Sequence, residues 1–307
     1  MKIDVVIPAY NASAFIVETL ESVIQQTLAP ASIIVVDDGS VDNTAEFVCR
    51  FADAHPTQKI VLISQANKGI SGARNAGLKA ATAEFVALLD ADDLWEADKL
   101  VHQAALFQRE GAERLGLVYC DYRLVDENGC AVQTRSHVGP RLRGRVRQEL
   151  RAGNLISGSA SAVLIRSRVL QDVGLFDEAL VCCEDWDLWL RISKDWEVDF
   201  VPETLVCIRR HSQSIQRDNR KMLEGDLRIA VKLSDEGLLT GRLWLALLGR
   251  MYSLSIRLSD FKNCLPRRKN TRMRFSPSFV RSLGALVVLV QHVRAFVGLR
   301  LRRLAEH

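Results

Sequence analysis

The sequence predicts an α/β fold with a mostly parallel sheet flanked by helices and a helical extension at the C-terminus. Two observations support this prediction. Apolar segments of strand length alternate with amphipathic segments of helix length over the first 95 residues, and each apolar segment is followed by polar residues. Alternation of this kind is typical of βαβ units with right-handed crossovers, which collect polar residues at one edge of the sheet.

The first half of the chain has four such units. The first strand, residues 3–7, is expected to stop at Pro8, and Asn11 or Ser13 is expected to cap the next helix. The later predicted elements are a strand at 33–36, a helix at 44–55 capped by Asp42, a strand at 60–63, a glycine-bearing loop at 67–72 and a helix at 73–81.

The fourth apolar segment, residues 85–89, ends on three carboxylates, Asp90, Asp92 and Asp93. Ligands bind beyond the carboxyl ends of parallel strands, and clustered carboxylates repel one another unless a cation offsets them. Hard divalent ions prefer oxygen ligands, so a metal site is predicted here. The alternative for an isolated pair of aspartates is a helix cap with solvated neighbours.

In the second half of the chain, the sequence predicts fewer regular elements. An arginine-rich segment, residues 135–151, is expected to form a loop over one face of the domain. The other predicted elements are a helix at 98–110, a strand at 116–125, a strand ending at Arg166, a helix containing Trp186 and Trp189, and a strand at 204–209 that leads to His211.

Composition and motifs exclude several classes of protein. The hydrophobic fraction of 48% with 25% charged residues is ordinary for a globular protein. The chain has no G-x-G-x-x-G fingerprint and no G-x-x-x-x-G-K-[ST] loop, so a dinucleotide enzyme or a P-loop phosphotransferase is not supported. Seven cysteines without a C-x-x-C pair, and an N-terminus without a signal peptide, predict reduced thiols in the cytoplasm.

The C-terminal region is basic. Residues 262–307 carry eleven basic residues and one acid, Glu306, whereas the rest of the chain is net acidic. Apolar residues from Leu283 to Leu304 recur at helical spacing. The predicted helix could bind an anionic membrane surface, or it could pack on the catalytic domain or on a second subunit. Nucleic-acid binding is not expected, because no aromatic residues are interleaved with the basic ones.

Five motifs, in this order, resemble those of the family 2 inverting glycosyltransferases, which have the GT-A fold. They are residues 7–11 (Ile-Pro-Ala-Tyr-Asn), 37–40 (Asp-Asp-Gly-Ser), 67–75 (ending Ala-Arg-Asn), 90–93 (Asp-Ala-Asp-Asp) and 184–187 (Glu-Asp-Trp-Asp). The resemblance implies a catalytic domain at 1–215, divided into a nucleotide-binding half (1–95) and an acceptor half (96–215). Residues 216–307 would be the basic helical extension.

The resemblance also implies roles on the donor side. Tyr10 would lie near the base, together with Pro8, Ala9 and Asn11, and Asp38 would accept a hydrogen bond from a uracil N3–H, a role that suits an acceptor-only carboxylate. Further nucleotide-sugar contacts are implied for Asn67, Lys68, Arg74, Asp90 and Ala91.

On the catalytic side, the resemblance implies that Asp92, with His211, binds Mn²⁺ or Mg²⁺. Asp185 would be the base that takes the proton of the acceptor hydroxyl, with Glu184 and Trp186 near the acceptor. Neighbouring carboxylates would raise the pKa of Asp185, whereas a helix N-terminus would lower it, and the sequence does not decide between the two.

The predicted function is metal-dependent, inverting transfer of a sugar from a nucleotide-sugar, by default a UDP-sugar, to a glycan or lipid-linked acceptor in surface polysaccharide or glycolipid synthesis. The expected location is the cytoplasm, at the cytoplasmic face of the inner membrane if the tail binds lipid. The sequence does not decide whether the protein forms a homo-oligomer. Two alternatives are a nucleotidyltransferase and a non-catalytic nucleotide-sugar-binding scaffold. The absence of a glycine- and lysine-rich loop after the first strand argues against the former.

Overall fold

The computed structural model describes residues 1–132, 141–156, 159–211 and 219–238. The chain divides into a first unit, Met1–Arg217, and a second unit, Asp218–His307. The predicted boundary between 215 and 216 stays a prediction. The expected tail helices after residue 238, and residues 133–140 of the expected arginine-rich loop, lie outside the described residues.

Eight strands form one sheet within the described residues, in the order β3-β2-β1-β4-β7-β6-β8-β5. The strands are β1 (Ile3–Ala9), β2 (Ser32–Asp37), β3 (Ile60–Ser64), β4 (Phe85–Leu88), β5 (Leu94–Trp95), β6 (Leu115–Val125), β7 (Val163–Arg166) and β8 (Glu197–Arg209). The helices are α1 (Ile16–Ile24), α2 (Thr44–Ala54), α3 (Gly69–Ala80), α4 (Lys99–Phe107), α5 (Arg147–Leu150), α6 (Ser167–Val173), α7 (Glu184–Ile192) and α8 (Asn219–Asp235).

Strands β3, β2, β1 and β4 are parallel, as predicted, so their carboxyl ends share one edge of the sheet. Every residue of β1 and β2 is buried, which explains why both strands are largely apolar without alternation, with Asp4 hydrogen-bonded to Ser32 in the interior. Helix α3 packs closely on β1, because a Cβ on Gly77 would lie 2.3 Å from Cγ1 of Val6. The sequence places Gly at this position because no side chain would fit.

The second half of the sheet is mixed. Strand β7 pairs antiparallel with both β4 and β6, β6 pairs parallel with β8, and the two-residue β5 pairs antiparallel with β8. The register of the last pair, Leu94 with Cys207, brings the acidic residues before β5 alongside the end of β8. The pairing of β5 with β8 therefore joins the two halves of the domain at the site described below.

Several predicted boundaries were wrong. Strand β1 continues through Pro8, which the ladder tolerates because β4 pairs with β1 only as far as Val6. Helix α1 begins at Ile16 without a capping side chain, so neither Asn11 nor Ser13 caps it. Helix α3 begins at Gly69, four residues before the predicted start, and β8 begins at Glu197. Among the described residues, no helix is long and apolar enough to cross a membrane.

Candidate active site

The loops after β1 and β2 are held together by hydrogen bonds between side chains and backbone. The Asn11 backbone N–H donates to Oγ of Ser40 at 2.9 Å, and Oδ1 of Asn11 accepts from the Val41 N–H at 2.9 Å. Asn11 adopts a positive φ of 50°, which asparagine tolerates better than most residues. This turn leaves Tyr10 54% exposed at the carboxyl edge of the sheet, where its ring can contact a ligand.

Pro8 and Ala9 do not reach this surface. Both are buried within β1, and the Ala9 carbonyl accepts a hydrogen bond from the Asp38 N–H at 2.8 Å. The nucleotide-sugar contacts that the resemblance implies for Pro8 and Ala9 stay predictions, and with both side chains buried they would fall to the backbone. Their role is to fix the start of the loop that carries Tyr10.

Asp38 organises the loop after β3. Its Oδ1 accepts from Nε2 of Gln65 at 2.7 Å and from the Lys68 N–H at 2.9 Å. Gly39, with φ of 76°, makes room for this loop, because a Cβ there would lie 2.9 Å from the Asn67 backbone nitrogen. Asn67 and Lys68 are exposed beside this buried carboxylate. Both hydrogen bonds go to Oδ1, so Oδ2 is the oxygen of Asp38 that remains for another donor.

The acidic stretch after β4 is fixed by two serines that the sequence analysis did not single out. Ser159 Oγ donates to Oδ2 of Asp90 at 3.0 Å, and Ser161 Oγ accepts from the Asp90 N–H at 3.0 Å and donates to Oδ2 of Asp93 at 2.6 Å. Burial raises the pKa of Asp93, and the charges of Asp92 and Asp90 raise it further. The only signal in the sequence was that small residues precede β7.

Ala91 is buried and contributes through its backbone. Its carbonyl accepts a hydrogen bond from the Thr19 hydroxyl at 2.9 Å, which ties the acidic stretch to α1. The nucleotide-sugar contact that the resemblance implies for Ala91 stays a prediction. The stretch is thus attached to the protein on both sides, through Thr19 and through the serines before β7.

Asp92 and His211 lie together although 119 positions separate them in the chain. His211 Nε2 lies 2.8 Å from Oδ2 of Asp92, and the side chains are 15% and 30% exposed. The described residues contain no group of three or more His, Cys, Asp or Glu side chains that could hold a metal by themselves. A partly exposed Asp–His pair nonetheless fits a divalent ion that takes its remaining ligands from phosphate and water.

Arg209 connects this pair to its surroundings and was not predicted as a site residue. Its backbone N–H donates to Oδ1 of Asp93 at 3.0 Å, and its buried guanidinium donates to the Asp92 carbonyl at 2.9 Å and to Oε2 of Glu18 at 2.7 Å. The guanidinium also donates to the Glu127 carbonyl at 2.6 Å. Arg209 therefore fixes the backbone of Asp92 against α1 and β8.

Arg74 lies at the centre of the site rather than at its surface. Its Nη2 donates to Oδ1 of Asp90 at 2.7 Å, and its Nη1 donates to Oε1 of Glu184 at 2.6 Å. The pKa of Glu184 is raised to about 6 by burial, even though the charge of Arg74 opposes the shift. Through Arg74, the acidic stretch after β4 is linked to the first turn of α7.

Asp185 is half-buried in that first turn. Asn154 Nδ2 donates to its Oδ2 at 2.8 Å, and the Trp186 N–H donates to its Oδ1 at 2.7 Å. Burial raises the pKa of Asp185, although Arg74 and both hydrogen bonds act in the opposite direction. The question that the sequence left open is thus decided by burial in favour of a raised pKa.

Trp186 does not line the site. It is fully buried, and its indole N–H donates to the Leu150 carbonyl at 2.6 Å. The acceptor contact that the resemblance implies for Trp186 stays a prediction, and the buried ring anchors the segment around α5 to α7. The residue before the helix, Cys183, has a positive φ of 61°, an uncommon conformation that begins α7 with its acidic turn at the site.

Solved structures of other proteins share this fold. The chain is similar to S. aureus TarS 1–349 in complex with UDP-GlcNAc, with a TM-score of 0.62, 21% identity and coverage of 84% of this chain and 74% of that chain. It is also similar to the mannosyltransferase PcManGT from Pyrobaculum calidifontis in complex with GDP-Man and Mn²⁺, with a TM-score of 0.61, 17% identity and coverage of 96% and 82%. The fold is therefore GT-A, as the sequence motifs predicted.

The model of Glycosyl transferase family 2 matches residues 4–174. The chain belongs to this family. It is 34% identical over 195 residues to a glycosyltransferase of Nostoc sp. (strain PCC 7120), covering 62% of this chain and 56% of that protein. It is 31% identical to the E. coli UDP-Glc:alpha-D-GlcNAc-diphosphoundecaprenol beta-1,3-glucosyltransferase WfgD, covering 71% of this chain and 80% of WfgD.

Proposed function

We propose that this protein is a metal-dependent inverting glycosyltransferase that moves a sugar from a UDP-sugar to a hydroxyl group of a glycan or lipid-linked acceptor. The observation that carries the proposal is the grouping at one sheet edge. Asp92 comes after β4 and its partner His211 comes after β8, and Arg74 joins the nearby Asp90 to the turn that carries Asp185. The donor, metal and base functions of a sugar transfer thus have candidate groups within one connected network.

On the donor side, the exposed ring of Tyr10 is placed to stack on the base, and Oδ2 of Asp38 can accept from a uracil N3–H. The exposed Asn67 and Lys68 follow the same loop, where Lys68 can approach the diphosphate as a point charge. A UDP-sugar is favoured because an acceptor-only carboxylate suits uracil, and the names of WfgD and of the TarS complex specify UDP-sugars for those proteins.

Asp92 and His211 would hold Mn²⁺ or Mg²⁺. When bound, the ion would neutralise negative charge on the departing nucleoside diphosphate. PcManGT was solved in complex with Mn²⁺, which supports a divalent ion in this fold. Asp90, which is held by Ser159 and Arg74, would contact the ribose or the sugar.

Asp185 would act as the general base. Its carboxylate would take the proton of the acceptor hydroxyl while the acceptor oxygen forms a bond to the anomeric carbon, and the bond from that carbon to the diphosphate oxygen breaks on the opposite face. UDP leaves with the bonding electrons, and the configuration at the anomeric carbon inverts. A pKa raised by burial suits this role, since a base closer to neutrality has a stronger drive to accept a proton.

The proposed acceptor and location rest on the similarity to WfgD. WfgD is a glucosyltransferase for a diphosphoundecaprenol-linked sugar, and we extend that acceptor class, a glycan on a lipid carrier, to this chain. Synthesis on such a carrier would place the protein at the cytoplasmic membrane face, with the basic residues after 262 drawn to anionic headgroups. Sedimentation with anionic liposomes, with and without residues 262–307, tests this part separately.

Calorimetric titration tests the donor and metal sites without knowledge of the acceptor. UDP, GDP and dTDP are titrated with and without Mn²⁺ into the wild type, Asp92→Asn and the matched control Asp53→Asn, an exposed position on α2. We expect UDP to bind tightly only with Mn²⁺, the Asp92 variant to lose that dependence, and the Asp53 variant to match the wild type. If no nucleotide binds the wild type under any condition, the proposed function is wrong.

A further inference from the structure

Arg74 is enclosed by protein groups. Its side chain is only 3% exposed, its two terminal nitrogens are bonded to Asp90 and Glu184, and its guanidinium lies 5.2 Å from the centre of the Phe176 ring. A residue that binds a diphosphate or a base would need donors directed toward the ligand. The two terminal nitrogens of Arg74 are instead directed at carboxylates of its own chain.

The two carboxylates belong to different functional segments. Asp90 lies two positions before Asp92, the candidate metal ligand, and Glu184 directly precedes Asp185, the candidate base. A planar guanidinium can hold two carboxylates at once through separate nitrogens, whereas the single nitrogen of lysine cannot reproduce that geometry. The residue type at position 74 therefore suits a bridge between the segments.

The rest of α3 supports the same bridge. Ser71 Oγ donates to the Leu180 carbonyl at 3.2 Å. Asn75 donates from Nδ2 to the Phe176 carbonyl and accepts at Oδ1 from the Phe176 N–H, both at 2.9 Å. Residues 71, 74 and 75 share one face of the helix, so they anchor the segment that leads into α7.

We propose that Arg74 is a positioning residue, which holds Asp90 and the Glu184–Asp185 turn in one geometry and makes no contact with the nucleotide. This inference rests on the proposed function, because Asp185 must be the base for its position to matter. It replaces the nucleotide-binding role that the family resemblance implied for Arg74.

The charge of Arg74 also affects the base. The charges of Arg74 and Asp90 lower and raise the pKa of Asp185 respectively. The adjacent Glu184 also acts on Asp185, and the hydrogen bonds from the Trp186 N–H and from Asn154 lower its pKa. Removing the positive charge while Asp90 and Glu184 remain raises the pKa of Asp185 further. A base that must be ionised is then protonated over a wider range of pH.

The test compares Arg74→Met and Arg74→Lys with Arg50→Met, a control at an exposed arginine of α2. Three quantities are measured: the Kd for UDP in the presence of Mn²⁺, the release of UDP from UDP-glucose with water as the acceptor at pH 6 and pH 8, and the titration of the Asp185 carboxyl carbon by ¹³C NMR. Asp185→Asn assigns the NMR signal, and thermal unfolding shows whether each variant is folded.

For Arg74→Met, we expect the Kd for UDP to stay within about threefold of the wild type, whereas UDP release falls by about 100-fold, as misplacement of reacting groups can cause. The loss should be larger at pH 6 than at pH 8, with a raised pKa of Asp185. Arg74→Lys should keep the pKa near that of the wild type but restore little of the rate, because charge without the bridge does not fix the geometry.

Two results would overturn the proposal. A loss of UDP affinity of tenfold or more in a folded Arg74→Lys variant would return Arg74 to the nucleotide site, and unchanged UDP release and Asp185 pKa would show that it positions nothing. If neither Arg74 variant folds, Glu184→Gln breaks the bridge from its other end and must lower UDP release while leaving UDP affinity intact. Failure of the wild type to bind UDP would instead overturn the proposed function.

Discussion

Nδ2 of Asn154 lies 2.8 Å from Oδ2 of Asp185 and donates a hydrogen bond that favours the ionised carboxylate. Burial acts in the opposite direction and raises the pKa of Asp185 above its ordinary value. A base is active when it is ionised, so its activity is present above this pKa and is lost as the pH falls through it. Asn154 therefore sets part of the acid limit of the proposed reaction.

Asn154→Ala should move the acidic limb of the rate profile to higher pH. Loss of the hydrogen bond removes one of the effects that lower the pKa of Asp185, so the base is protonated at a higher pH than in the wild type. The rate of UDP release from UDP-glucose between pH 4 and 9 measures the shift. Asn128→Ala, in an exposed turn, should leave the profile unchanged, and coincident profiles for all three proteins would contradict the prediction.

Tyr10→Ala should weaken UDP binding without loss of stability. Stacking of a base on an aromatic ring is worth about 1–3 kcal/mol, so the Kd should rise by about tenfold or more. The side chain is 54% exposed, so the free energy of unfolding should change little. Calorimetric titration with Mn²⁺ measures the Kd, and Tyr10→Phe, which keeps the ring, should bind like the wild type. Equal affinity of the alanine variant would remove Tyr10 from the base site.

Gly39→Ala should cost more stability than Gly129→Ala. Both glycines have a positive φ, 76° and 79°, but only the Cβ at position 39 would meet a backbone atom, the Asn67 nitrogen at 2.9 Å. A strained φ costs about 1–3 kcal/mol in either variant, and the clash adds to it at Gly39. Urea unfolding compares the two variants. Displacement of the loop should also weaken UDP binding in the Gly39 variant alone, and equal stabilities would argue against the close contact.

Arg209→Met should lower both stability and metal affinity. Loss of the buried guanidinium leaves the Asp92 and Glu127 carbonyls without its donors, and a hydrogen bond that involves a charged group is worth about 1.5–3 kcal/mol, whereas the exposed Glu18 carboxylate can be solvated by water. The Asp92 backbone is then less fixed, so Mn²⁺-dependent UDP binding should weaken. Arg210→Met, at the exposed neighbouring position, is the control for both the unfolding and the titration experiments. A stable variant with undiminished Mn²⁺ dependence would rule out this role.

Lys99→Met should flatten the pH dependence of stability above neutral pH. Burial lowers the pKa of Lys99 to about 7, where its Nζ donates to Oε1 of Gln103 and lies 3.9 Å from the centre of the Trp95 ring. The unfolded chain binds this proton up to a pH of about 10.4, so between the two pKa values the free energy of unfolding rises with pH, by at most about 1.4 kcal/mol per unit.

Subtracting the free energy of unfolding of the Lys99→Met variant from that of the wild type separates the contribution of Lys99 from those of other groups that titrate at high pH. The difference in the free energy of unfolding, measured by urea titration between pH 6.5 and 9.5, should rise with pH. The exposed Lys79→Met provides the control, and its difference from the wild type should stay flat. A flat difference for Lys99→Met as well would mean that the folded protein keeps Lys99 charged.

Most of the first half of the fold could be predicted from the sequence, because its information is local. Four apolar segments fixed the parallel strands β1 to β4, and the residues that follow them, among them Asp38 and Asp92, marked the edge where a ligand would bind. Boundaries were less predictable, since the tolerance of Pro8 within β1 depends on where β4 stops pairing, which no local pattern encodes.

The sequence by itself determined the family, the GT-A fold class and the identities of the acidic residues, because motif order and strand periodicity are properties of the chain alone. Only the tertiary structure decided which of those residues are exposed at the carboxyl edge of the sheet and which are buried. Burial removed Pro8, Ala9, Ala91 and Trp186 from the surface, because each lies in or against the core. Pairing of β5 with β8 brought Arg209 and His211 to the acidic stretch. Packing of α3 enclosed Arg74 between Asp90 and Glu184. No local pattern predicts these contacts, because they join residues that are about 16 to 119 positions apart in the chain.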